Sequence, residues 1–299
     1  MIAPLPLRAG DKIGIIAPSR KVTSEDLDGS VKFLENLGFR IEFGKNLFAS
    51  ENQFAGTDAE RAEDFMEMIR NPEIKAIMCA RGGYGTARIL DYLDDVVIRN
   101  NPKWVIGYSD ITVLHSYLSE IVGMQSLHAT MPVNFKPELA GTDTWQKLNE
   151  VLTGGLPEYR VEANPFNRVG TASGLLTGGN LSVLYSLSGT WCDMDTDGKI
   201  LFIEDLDEYL YHIDRMMMNL RLSGKLACLR GLIVGGMTDM HDNTIPFGRE
   251  ACQIVADAVA DYNFPVMFGF PSGHCEPNLP LVMGREMTLE VGTDGGVLR

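Results

Sequence analysis

The chain has 299 residues, 45% of them hydrophobic and 22% charged, with a net charge of −14 at pH 7. Its acids are spread out rather than gathered in a tail, so its field repels nucleic acid and anionic membranes and does not draw in an anionic substrate. No apolar run is long enough to span a bilayer, and the five cysteines include no C-x-x-C pair that would suggest a disulfide framework or a zinc ribbon.

The first residues, Met1 to Arg8, have no basic region followed by an apolar run, so a reduced cytoplasmic protein is expected. Ile13 to Pro18 reads as a buried strand, and Ser24 is placed to cap a helix running to about Leu37. Phe39 to Phe43 alternates as a strand. A helix from Asp58 puts Ala62, Phe65, Met66 and Ile69 on one face until Asn71-Pro72 stops it. Ile74 to Ala80 is another apolar strand, leading into Arg81-Gly82-Gly83-Tyr84-Gly85 and a helix from Thr86 to about Leu93. A short apolar segment then ends at Gly107-Tyr108-Ser109, before a helix to Val122 and a strand near Gln125 to His128. This alternation predicts an α/β domain over 1–135, with a mostly parallel sheet flanked by helices and ligands at the carboxyl ends of its strands.

Prolines interrupt 136–168, which reads as a crossing segment with one helix near Thr144 to Leu152. Residues 169–299 carry shorter strands: Gly170 to Leu176, Ile200 to Glu204, Leu232 to Gly235, Val266 to Phe268 and Met287 to Val291. Helices from Ile213 to Leu222 and from Gly248 to Asp261 separate them. A smaller α+β domain with a barrel-like sheet is expected there.

Ser109 stands on a strand-to-helix turn, where a side chain projects from the sheet edge and helix N–H groups face it. That suits a nucleophile whose reaction passes through an oxyanion, although Asp110 could equally be a simple helix cap. A serine nucleophile needs a base and a group that orients it. His128 ends an apolar strand at the ligand edge and His274 follows a glycine-flexed loop; spacing alone does not separate them. Glu204 ends the apolar strand Ile200 to Ile203 and could orient the base or pair with an arginine. Gly83-x-Gly85 begins a dinucleotide fingerprint, but Arg88 occupies the third small position. The alternative is that a glycine N–H of this loop completes an oxyanion hole opposite the N–H of Asp110. Gly178-Gly179-Asn180-Leu181 is a further glycine turn into a helix, suited to substrate binding or to close packing.

Taken together, Ala80 to Gly85, Ile106 to Thr112, Gly178 to Leu181, Phe202 to Asp205 and Ile213 to Met216 resemble the LD-carboxypeptidases, in the same order along nearly the whole chain. That serine peptidase family contains muramoyltetrapeptide carboxypeptidase and the microcin C self-immunity peptidases. The resemblance implies Ser109 as nucleophile, Glu204 as acid and His274 as base, with an oxyanion hole at the N–H groups of Gly83 and Asp110. It implies a triad split between the two domains, no metal or organic cofactor, and a homodimer. His128 is expected to line the site, and Arg81, Tyr84 and Asn180 to contact substrate, with Arg81 a candidate for its carboxylate. One departure is Trp191-Cys192-Asp193, which replaces a more proline-rich segment common in relatives. The implied reaction releases D-alanine from a murein tetrapeptide. The alternatives are cleavage of a peptidyl-nucleotide antibiotic and a non-catalytic ligand-binding protein.

Overall fold

Strand–helix alternation in the first half produces a parallel sheet, as its apolar periodicity predicts. The structure is a computed structural model that describes residues 1–299. It runs β1 (Lys12–Ile16), α1 (Asp28–Asn36), β2 (Arg40–Phe43), α2 (Asp58–Arg70), β3 (Ile74–Cys79), α3 (Asp95–Asn100), β4 (Trp104–Gly107), α4 (Thr112–Tyr117) and β5 (Ser126–His128). There follow α5 (Asp143–Leu152), β6 (Tyr159–Glu162), β7 (Gly170–Asn180), α6 (Leu181–Leu187), β8 (Ile200–Leu206), α7 (Leu210–Leu222), β9 (Gly231–Thr238) and α8 (Ala251–Ala258). The chain ends with β10 (Val266–Phe268), β11 (Leu281–Met283), β12 (Glu286–Val291) and β13 (Gly295–Leu298). No helix is long and apolar enough to cross a membrane.

The first sheet has the order β11-β5-β4-β3-β1-β2. Its five N-terminal strands are parallel, and β11 is antiparallel to β5, with Leu281 opposite His128. The second sheet has the order β10-β9-β8-β7-β12-β13-β6. Here β10 to β7 are parallel, while β12, β13 and β6 add antiparallel strands.

Three features differ from the expectation. The second sheet is open, not barrel-like, because α6, α7 and α8 bury one of its faces, packing Ile213, Met216 and Ile254 on Leu201, Ile203 and Val234. With that face covered by helices, the sheet need not close on itself to hide it. The crossing segment supplies β6 to the second sheet, and the C-terminal segment returns β11 to the first, so the chain passes between the two units more than once. Helix α1 begins one turn later than Ser24, because Thr23 and Asp26 bond to each other's backbone N–H and hold that stretch as a turn. By contrast α2 starts where expected, closed by a reciprocal Thr57–Glu60 capping box.

Candidate active site

Apolar β4 is buried along its length and ends at Gly107, which forces a turn before the next helix. Ser109 occupies that turn with φ of 64°, a left-handed conformation that costs a non-glycine residue roughly 1 kcal/mol. Strain of this kind is a property of nucleophile turns rather than of ordinary helix caps. Nor does Asp110 cap its own helix. Its Oδ2 accepts from the N–H of Thr86 at 2.9 Å and from the Thr86 hydroxyl at 2.7 Å, on the glycine loop 24 residues away. That loop packs directly on the serine: a Cβ at Gly82 would lie 3.1 Å from Ser109 Oγ. Gly83 follows, and its N–H makes no hydrogen bond within the chain.

Glu204 and His274 meet in the second unit. Glu204, fully buried on β8, accepts through Oε2 from His274 Nδ1 at 2.7 Å and from the His274 N–H at 3.1 Å. This approach requires glycine before the histidine: at Gly273, φ is 100°, and a Cβ would lie 2.5 Å from Glu204 Cγ and Oε2. The loop is fastened at several points. Gly273 N–H donates to Asn278 Oδ1 at 2.9 Å, and Thr238 Oγ1 donates to the His274 carbonyl at 2.7 Å. Thr144 of α5 donates to Glu276 at 2.6 Å and accepts from the Asn278 N–H at 2.9 Å. Burial alone would lower the basicity of His274, but the hydrogen bond and charge of Glu204, with Asp205 behind it, outweigh burial and raise its pKa above the usual imidazole range.

Between these clusters lies Tyr108, whose buried ring centroid is 4.7 Å from that of His274 and 5.9 Å from that of His128. Ser109 Oγ makes no hydrogen bond to His274 in this structure, which is common before substrate tightens a site.

His128, which spacing could not separate from His274, contacts no acid. It is fully buried, its ring 5.0 Å from that of Phe202, and burial together with His115 and His274 holds its pKa well below the usual value. It is a neutral floor beneath the site. Asn180 is committed elsewhere: its Oδ1 accepts from the Val183 N–H at the start of α6, and its Nδ2 donates to Asp205 at 2.9 Å. These bonds hold the Asn180 amide within the chain, between the start of α6 and Asp205. Tyr84 is exposed, with its ring 6.1 Å from that of Phe54. Arg81 is half-buried and forms no ion pair; its carbonyl accepts from Ser19 Oγ at 3.0 Å.

Two residues near the serine escaped the sequence reading. The stem of Arg20 covers Gly83, where a Cβ would meet Arg20 Cδ at 2.1 Å. Its position just past the carboxyl end of β1 was the available signal. Arg61, buried on α2, bonds the carbonyls of Pro18 and Gly85. No group of three or more His, Cys, Asp or Glu side chains is arranged to hold a metal ion.

Two family descriptions match the chain: the LD-carboxypeptidase N-terminal domain over residues 13–129 and the LD-carboxypeptidase C-terminal domain over residues 173–289. The chain belongs to the LD-carboxypeptidase family. It is 37% identical to the probable murein peptide carboxypeptidase of Bacillus subtilis (strain 168), over 99% of this chain and 93% of that one. The muramoyltetrapeptide carboxypeptidase of Oxalobacter formigenes superposes with a TM-score of 0.88 at 28% identity, covering 96% of this chain and 97% of the other. The microcin C7 self-immunity protein MccF, solved with aspartyl sulfamoyl adenosine, superposes with a TM-score of 0.89 at 25% identity, covering 100% and 98%. As a member of this LD-carboxypeptidase family the chain is a peptidase, and its relatives support a carboxypeptidase role.

Proposed function

We propose that this protein is a serine-type LD-carboxypeptidase that hydrolyses an L,D peptide bond and releases D-alanine from a murein tetrapeptide. The observation that carries the reading is the closed Glu204–His274 pair, 2.7 Å apart, with the His274 ring 4.7 Å from that of Tyr108, the residue before the strained Ser109.

The roles follow from the chemistry of each group. His274 Nδ1 donates to Glu204, so Nε2 is the free basic nitrogen, and it takes the proton as Ser109 Oγ attacks the carbonyl on the L side of the bond. Glu204 holds that tautomer and balances the imidazolium. The N–H groups of Gly83 and Asp110 receive the oxyanion, each such donor being worth roughly 3 kcal/mol in the transition state. His274 passes its proton to the departing D-alanine amine, and water then resolves the acyl-enzyme by the same route. None of these steps needs a metal or an organic cofactor. Two arginines without ion pairs, Arg20 and Arg81, lie on the segments around the serine turn, where a terminal carboxylate needs a local cation in a chain of net charge −14.

The test is release of D-alanine from L-Ala-γ-D-Glu-meso-diaminopimelyl-D-Ala by wild type and Ser109→Ala. Wild type turns over, and the variant loses about 10⁴-fold or more; equal turnover by both would refute the serine mechanism. The kinship with a self-immunity protein supports a second reading, the same triad acting on a peptidyl-nucleotide. An aminoacyl sulfamoyl adenosine run beside the tetrapeptide separates the two.

A further inference from the structure

The peptide unit joining Gly85 to Thr86 is gripped at both ends by buried side chains of opposite charge. Its carbonyl accepts from Arg61 Nη1 at 2.8 Å, and its N–H donates to Asp110 Oδ2 at 2.9 Å. The Thr86 hydroxyl adds a second bond to the same oxygen at 2.7 Å. Arg61 is anchored in turn: Nη1 also bonds the Pro18 carbonyl past the end of β1, and Nη2 pairs with Asp58. Arg61 is 1% exposed and Asp110 4%, so both charges act where water screens them little. Gly85 is required for the grip, since a Cβ there would lie 3.0 Å from Arg61 Nη1 and its φ is 137°.

We propose that Arg61 and Asp110 clamp this peptide in order to position the oxyanion hole, by locking the glycine loop to the serine turn. The inference rests on Ser109 being the nucleophile. Electrostatic stabilisation of an oxyanion works only when its donors are already fixed before charge develops. One donor, the Gly83 N–H, belongs to a glycine-rich loop that has wide conformational freedom of its own. The other belongs to Asp110, on the serine turn. The Asp110 side chain reaches back to the loop, so a single residue supplies one donor and fixes the separation from the other. Charge-assisted bonds, about twice as strong as neutral ones, hold the loop from both sides. Arg61 and Asp110 are therefore positioning residues; neither side chain touches the reacting atoms.

The experiment compares wild type with Asp110→Ala, Asp110→Asn and Thr86→Val, each of which retains the backbone N–H at 110. Three readouts are taken: kcat and KM for D-alanine release, the rate at which a fluorophosphonate forms its tetrahedral adduct on Ser109, and hydrogen exchange of the 82–86 amides. In Asp110→Ala, kcat and phosphonylation fall together by about 100-fold with KM within about 2-fold, and the loop amides exchange faster. Asp110→Asn, whose amide oxygen can still accept from Thr86, recovers most of the loss. If Asp110→Ala does not fold, Thr86→Val carries the test, with a drop of about 10-fold in kcat and phosphonylation. A folded Asp110→Ala or Thr86→Val with unchanged kcat and phosphonylation overturns the clamp, as does a change confined to KM. Wild type that reacts with the fluorophosphonate but releases no D-alanine refutes the substrate reading alone, and the clamp is then decided by phosphonylation. An unreactive Ser109 overturns both.

Discussion

The two halves of the site are held rigid in different ways. The Glu204–His274 half is a closed local structure: Glu204 Oε2 takes two bonds from His274, and the loop around that histidine is tied to β9 through Thr238 and to α5 through Thr144. The Ser109 half stores strain in the left-handed serine and holds its glycine loop between two buried charges, Asp110 on the same turn and Arg61 on α2. Each half is ordered by itself, yet no hydrogen bond joins Ser109 to His274. Besides the pairing of β11 with β5, the two units meet where α4 and the turn that follows it pack on the second unit. There the Asn180 N–H donates to Thr112 Oγ1 at 3.0 Å, Ser116 Oγ donates to the Cys192 carbonyl at 2.6 Å, and Lys199 pairs with Glu120 at 3.3 Å. In the proposed mechanism, reactivity then depends on this junction as well as on either half.

After removal of the Ser109 hydroxyl itself, the largest effect is expected from opening the closed half. Glu204→Gln keeps the shape but offers His274 an amide, and kcat should fall by about 10²- to 10⁴-fold. The pH profile carries the sharper information. Burial lowers the His274 pKa while Glu204 raises it past that deficit. His274 must be neutral to act as base, so kcat/KM in wild type rises with pH through this elevated pKa. Without the Glu204 charge, burial is opposed only by the more remote Asp205, and the acidic limb moves to lower pH. A limb that stays in place in Glu204→Gln would show that Glu204 does not control the base.

A second prediction contrasts the halves by their response to acid. His115 Nε2 donates to the Gly107 carbonyl at 2.9 Å, just before the serine turn, and Nδ1 accepts from Ser126 Oγ at 2.8 Å. Burial lowers its pKa to about 4 and drives that of His128 in the same direction. For a histidine depressed in the folded state, stability is present above about pH 6.5 and is lost as pH falls towards 4. His115 alone accounts for roughly 3 kcal/mol of that loss. His274 has the opposite sign: its pKa is raised, so its contribution is present in acid and fades as pH rises through the elevated value. Hydrogen exchange between pH 7 and 4.5 should show β4 and β5 loosening before β8 and the 272–275 loop. Denaturant titrations of His115→Gln should give a flatter stability profile across that range. Loosening that begins in β8 would reverse the assignment.

What was legible in the sequence follows the range of the forces involved. The apolar runs of β1, β3 and β4 and the start of α2 at Asp58 are written in consecutive residues, and the structure keeps them within a residue or two. The turn at Ser109 was legible for the same reason. The return of β11 to the first sheet was not, because a three-residue strand has no period to detect and its partner, β5, lies more than 150 positions upstream. The open second sheet was misjudged on similar grounds: its short strands were visible, but which of their faces the helices would cover was not. Asp110 looked like a local cap because its actual acceptor role, towards Thr86, crosses two elements. Arg61 sits among acids in Ala59 to Asp64 and reads as part of a solvated helix face, yet it is one of the largest fully buried side chains.

The smallest effect is expected at the junction, and it isolates the junction best. Thr112→Val is nearly isosteric, so Gly179, which packs on this side chain, keeps its neighbour. What disappears is Oγ1, the acceptor for the Asn180 N–H at 3.0 Å. A buried donor left without a partner costs about 2 kcal/mol, enough to lower the melting temperature by a few degrees in a chain of this size. Thr112 touches neither the Glu204–His274 pair nor the glycine loop, so the pH at which the acidic limb appears should stay as in wild type. Only kcat should fall, by a few-fold, because the imidazole and the serine hydroxyl are held less firmly relative to each other. A shifted acidic limb would mean that the junction also shapes the acid–base pair. Unchanged kcat with lowered stability would mean that the remaining contacts, Ser116 to Cys192, Lys199 to Glu120 and the pairing of β11 with β5, suffice to hold the two halves in register.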